Sequence, residues 1–190
     1  MSETIDHPVL GTLQRDDLGY RVRVRHPAIA RLDWPTRYPT PGEQPDAMDI
    51  VIEPDGDGTW KQGISEAARL YEGMSAFVDR VLDTLWRDVQ GVGPKHEWWW
   101  HNNLAEVNEC VTGEGLDPLN GPNALAKLLR MSGLFITTMF DDAIEHVRPV
   151  VLVDLQAAFE TGHDVGLIFA DDVCHGIGYG SGDISPFDPS

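Results

Sequence analysis

The hydrophobic period of this 190-residue chain changes twice, and that change restricts the fold more than any other feature. Across residues 64–89, Ala67, Tyr71, Met74, Val78, Val81, Leu85 and Val89 recur at three and four, with Phe77, Leu82 and Trp86 widening the stripe. That spacing gathers apolar side chains on one side of a helix, which then needs a sheet to cover it. Gly91, Gly93 and Pro94 end the pattern. Before the helix the period is two. Residues 10–13 lead into Tyr20, Val22 and Val24, which alternate with Arg21, Arg23 and Arg25 after a turn at 16–19. This reads as a half-buried hairpin with an arginine-studded face. A further strand is expected at 48–53, between a loop whose four prolines (35, 39, 41 and 45) cannot join a central ladder and a turn at 55–58.

After the long helix the chain repeats the sequence of signals in reverse. Trp100, Leu104, Val107 and Val111 fit a second helical face, and a shorter helix follows with Pro122 near its first turn, Leu125, Leu128 and Leu129 on one side and Gly133 at its end. Strands are expected at 134–140, 150–157, 165–170 and 173–179, the last two joined by a tight loop at Asp171 and Asp172. Strands, helices, then strands predict one α+β domain over residues 1–180, an antiparallel sheet packed against two to three helices. Residues 181–190 are expected to fray as a flexible tail.

Charge narrows the function. Fourteen Lys and Arg against 31 Asp and Glu leave a net charge of −17. Such a field repels phosphate backbones and anionic membranes and attracts basic partners. The imbalance is uneven. Residues 1–37 hold six Arg against five acids, whereas from Asp141 onward ten acids face only Arg148. Cys110 and Cys174 have no CxxC spacing, no basic-then-apolar leader is recognisable, and no apolar run approaches the ~20 residues that span a bilayer. The expectation is a cytoplasmic protein that binds neither nucleic acid nor membrane.

Three groups of residues invite chemistry. His163, Asp164, Asp171, Asp172, Cys174 and His175 are a ligand set that zinc would accept. A two-residue loop at Asp171 and Asp172, however, puts His175 opposite Ile168 and His163 near Gly180, so the two imidazoles point to opposite sides of the ribbon. His175 then shares a face with Ile177 and Tyr179, and His163 with Val165, Leu167, Phe169 and Cys174. Residues 95–101 are the most unusual stretch. If helical, Trp98, Trp99 and Trp100 cannot all face one core, because successive side chains stand ~100° apart. One indole is then free to anchor a partner. His96 and His101, five apart, share a helical face poorly. No GxSxG elbow, dinucleotide loop or phosphate loop is present. The acidic pairs at Asp16-Asp17, Asp141-Asp142 and Asp171-Asp172 all fall at turns. No catalytic set, cofactor or metal site is therefore expected.

The segment 159–169 (FETGHDVGLIF), with the strand after it ending in Gly, resembles the C-terminal signature of a family of small bacterial proteins of unknown function. Those proteins carry an aromatic, an acid, Glu-His-Gly, an alternating strand, a tight turn and a strand ending in Gly. Leu10-Gly11-Thr12-Leu13 is similar to that family's start. Gly162 stands where the family carries Glu and Asp164 where it carries Gly, while His163 matches. Relatives of this kind resemble proteins often placed beside toxin genes as presumed immunity partners, an association and not a mechanism. Taken with the charge of −17 and the incomplete catalytic sets, the resemblance leads to the expectation of a non-enzymatic binding domain, an immunity protein that neutralises a basic toxin. The contacts expected are Asp141, Asp142, Asp171, Asp172, Trp98, Trp99, Trp100 and His163. The competing expectations are a metal-dependent hydrolase using His163 or His175 and a house-keeping domain whose acidity serves solubility.

Overall fold

The computed structural model describes residues 3–32, 46–55, 58–93, 96, 98–141 and 146–181. Eight strands form one sheet whose spatial order follows the chain. Four of them, β1 (Thr4–His7), β2 (Gly11–Arg15), β3 (Tyr20–Arg25) and β4 (Ala47–Ile52), make an antiparallel meander. Four more, β5 (Leu129–Asp141), β6 (His146–Ala157), β7 (Glu160–Ala170) and β8 (Val173–Gly178), make another. Between the two, helices α1 (Lys61–Glu72), α2 (Met74–Val89), α3 (Leu104–Gly113) and α4 (Pro122–Ala126) form the crossover. β4 and β5 consequently run parallel, with Ile50, Val51 and Ile52 opposite Leu134, Phe135 and Ile136. This is the one departure from an all-antiparallel sheet, and a connection that crosses the sheet permits it where a hairpin cannot. The fold is α+β, as the alternating periods predict.

Alternation decides which side of each strand is buried. Tyr20, Val22 and Val24 in β3 face inward with Ile50 and Ile52 in β4, and meet Leu134, Ile136, Val153, Leu155, Val165 and Leu167 from the second meander in one core. The helical stripe Ala67, Leu70, Met74, Phe77, Val78, Val81, Leu82, Leu85 and Val89 closes that core from above. The long helix is two helices, broken at Gly73. Glycine is a poor helix former, and the break leaves both halves on the same buried face.

Three further boundaries depart from expectation. β1 is a four-residue edge strand whose side chains alternate only between exposed and half-buried, so its apolar signal is weak. The last helix stops at Ala126, and residues 129–133, expected to be helical, open β5 instead. A register shift between Met131 and Gly133 lets this stretch pair with β6, so long-range pairing outweighs a local pattern that suits either structure. In β8 a second shift matters more. Phe169 pairs with Cys174 but Ile168 pairs with Gly176, leaving His175 as the extra residue of a bulge. Every later residue of β8 therefore changes sides relative to a regular hairpin.

At the hairpin tip Asp171 and Asp172 take φ of 46° and 66°. Two successive left-handed residues are what a tight hairpin loop with native twist requires, and aspartate tolerates that conformation better than most. The chain then folds back. Ser181, expected within the flexible tail, is 5% exposed, and its N–H donates to Asp154 Oδ1 at 2.9 Å. A Cβ at Gly166 would collide with the backbone of Gly180 and Ser181, so glycine is needed there for close approach. Residues 182–190 lie outside the described residues.

Candidate binding site

The site is assembled from the end of α2, the turn that follows it, and the open end of the β7–β8 ribbon. Its foundation is Asp88, only 3% exposed in the last turn of α2. One carboxylate oxygen, Oδ2, accepts the indole N–H of Trp98 at 2.6 Å; the other, Oδ1, lies 2.7 Å from Nδ1 of His101. A carboxylate only accepts, so Nδ1 of His101 carries the proton between them. The Asp88 carbonyl accepts from the N–H groups of Gly91 and Asn102, at 2.8 and 2.9 Å. Gly91 has φ of 72° and Asn102 φ of 54°, which bends the chain back on the helix end. His96 also faces Asp88, with Nε2 3.9 Å from the carboxylate, and its ring meets that of His101 edge to face at 6.1 Å. Burial holds the His96 pKa below its ordinary value, the neighbouring His101 pushes it the same way, and Asp88 opposes both.

Residues 98–102 are therefore a turn and not the start of a helix; α3 begins at Leu104. The two histidines meet through the turn, which a helical spacing of five would not allow. The tryptophans alternate. Trp98 and Trp100 are 7% and 1% exposed and stack on each other at 4.7 Å, and Trp100 stacks on Phe159 at 4.9 Å. Neither is available as a partner contact. Trp99 points the other way, is half-buried, and donates its indole N–H to Glu160 Oε2 at 2.8 Å.

Trp99 and Glu160 form one side of a groove of about 490 Å³ completed by His163 and Tyr179. The His163 ring meets Tyr179 edge-on at 5.3 Å, and Tyr179 in turn meets Trp98 at 6.5 Å. The bulge at His175 brings this about. In a regular ribbon Tyr179 would share a face with Asp164; shifted by one, it falls opposite Val165 and on the side of His163. The same shift puts Ile177 beside Leu167 in the core. Glu160 and Tyr179 are site residues that sequence reasoning missed: Glu160 lies within the 159–169 signature but is not among the contacts expected from it, and Tyr179 depends on the bulge.

The remaining expected contacts fall elsewhere. Asp172 accepts from Arg80 at 2.7 Å and from Arg69 at 3.1 Å, and Asp171 from Arg148 at 2.9 Å. The tip is thus braced against α1 and α2, and the Arg69 guanidinium holds the Asp172 carboxyl below the usual carboxylate range, with Arg80 assisting. Asp141 ends β5 opposite His146. Asp142 lies outside the described residues. His175 is five residues from His163 on the ribbon scale, about 16 Å at strand spacing. Burial raises the Cys174 thiol to about 11, which leaves it protonated and a poor nucleophile at neutral pH. Among the described residues no three His, Cys, Asp or Glu side chains stand close enough to share a metal ion. No helix among them is long and apolar enough to cross a membrane.

No protein-family model, curated protein or solved structure matches the chain.

Proposed function

We propose that the chain is a non-enzymatic, acidic protein-binding domain with a basic partner and, following the resemblance of its C-terminal segment, that it is a cytoplasmic immunity protein neutralising a toxin domain. The observation that carries this reading is how the cations are used. Arg15, Arg21, Arg23, Arg25, Arg31, Arg69, Arg80 and Arg148 each face a carboxylate of the same chain. Because the acids outnumber the bases, the surplus points outward: Glu72, Asp83, Glu106, Glu109 and Asp117 all stand exposed on or near the helical layer. A surface of that kind steers a basic protein into encounter and makes association depend steeply on salt. Trp99, the accessible member of the tryptophan run, supplies the aromatic anchor that such interfaces use.

The experiment is affinity capture of the product of the neighbouring gene with the full chain, paired with growth of cells expressing that product with and without the chain. Tight capture and rescued growth are expected. A neighbour that is harmless, or toxic but neither captured nor neutralised, would contradict the reading.

A further inference from the structure

The Trp99 groove has an internal counterpart at the other end of the molecule. There, the Arg15 guanidinium stands over the Trp60 ring, 5.5 Å from its centroid, while its Nη1 reaches Glu3 Oε2 at 2.5 Å. An arginine held between an indole face and a carboxylate is thus a unit this fold already contains. At Trp99 two of the three parts recur, an indole and a carboxylate, Glu160, joined at 2.8 Å. Among the described residues the lining of this groove has no lysine or arginine.

Geometry favours a planar cation. The indole N–H occupies Glu160 Oε2 and leaves Oε1 and the remaining lone pairs for a second donor. Tyr179 is 41% exposed and His163 is exposed, so both rings are reachable from solvent. The volume of about 490 Å³ accommodates an entire long side chain. A guanidinium stacks flat on aromatic rings and donates along its edge to carboxylates; an ammonium is a compact, strongly hydrated point charge that does neither as well.

We propose that the groove formed by Trp99, Glu160, His163 and Tyr179 is a binding site for an arginine side chain of a protein partner. This rests on the acidic-binding reading above and names its point of contact. The guanidinium lies against the Trp99 ring and donates to Glu160, with His163 and Tyr179 closing the far side.

The test uses the full chain and the blocked tripeptide acetyl-Gly-Arg-Gly-amide, followed through the Trp99 indole N–H resonance in 15N spectra, with the Gln and Lys tripeptides as controls. The expected result is a saturable shift with the Arg peptide, binding several-fold weaker with Lys, and no saturation with Gln. Glu160→Gln, which keeps an acceptor for the indole, should weaken Arg binding about tenfold, and Trp99→Phe should weaken it by a smaller factor. No saturable shift, equal shifts with Arg and Gln, Lys binding as tightly as Arg, or unchanged affinity in E160Q would each overturn the proposal. Capture of the neighbouring gene product separates the two claims. If E160Q and W99F capture it as well as the native chain, the groove assignment fails and the binding reading stands. If the tripeptide binds but the neighbour does not, the reverse holds.

Discussion

The two meanders share a connectivity and differ in what they do with charge. In β3 and β4, Arg21 and Arg23 both reach Asp49, Arg21 also holds Asp16, and Arg25 holds Asp46, a ladder that closes on itself. In the second meander the acids far outnumber the bases. Its tip aspartates are tied to arginines of α1, α2 and β6, but its open end carries Glu160 beside an indole, facing a groove. A count of charged residues does not distinguish these cases. Internal pairing makes charge structural, and surplus at an open ribbon end makes it available.

The largest test of the comparison asks whether both halves belong to one core. Leu13 in β2 and Leu155 in β6 are each fully buried in it. Leu→Ala at either should cost about 2–5 kcal/mol in urea unfolding and leave a single transition. Two separate transitions in either variant would mean that the halves fold independently.

Next is the foundation of the site. Asp88→Ala leaves the buried Trp98 indole N–H and the His101 Nδ1–H without their acceptor, at about 2–4 kcal/mol. The same variant should shift the tryptophan emission, because the turn that presents Trp99 loses its anchor. Stability and emission both unchanged would show that Asp88 does not hold the turn.

Acid sharpens the contrast further. His96 has a folded-state pKa below its unfolded value of about 6.5, so the stability it contributes is complete above that pH and is lost as pH falls through the lowered value. His96→Gln should flatten the stability profile between pH 7.5 and 5.5, and a profile identical to the native chain's would remove His96 from the account. Asp172 works at lower pH. Its folded pKa is depressed, so its contribution is complete above about pH 4 and disappears as pH falls through the folded value. Half-exposed and screened by solvent, it is worth no more than about 1 kcal/mol. Asp172→Asn should therefore be less stable than the native chain at pH 7 and converge with it as pH falls below the folded value.

The smallest effect belongs to the ladder. Arg23→Ala, at an exposed pair, should change stability by no more than about 0.5 kcal/mol and leave partner binding intact. A loss of binding would show that the first meander is also an interface.

Much of this fold was legible. The alternation at Val22 and Val24, the helical stripe to Val89 and the Asp171-Asp172 turn are local signals, and each fixes its element. The errors arise where the local pattern does not decide the structure. Residues 129–133 suit a helix until β6 offers a partner, and β1 is too short for its pattern to rise above the loop beside it. The groove escaped because one inserted residue at His175 moves Tyr179 across the ribbon. Asp88 carried a readable sign, since a carboxylate on the stripe of Val81 and Leu85 must find buried donors. The tryptophan run suits a helix, yet residues 98–102 form a turn, because the buried Asp88 gathers its donors there.

The most direct measurement is the association rate of the full chain with the neighbouring gene product across a salt series, for native protein and Glu160→Gln. The account predicts a rate that falls steeply with salt for both proteins and a complex that dissociates faster when Glu160 is neutralised. An association rate indifferent to salt, or no complex at any salt, would contradict it.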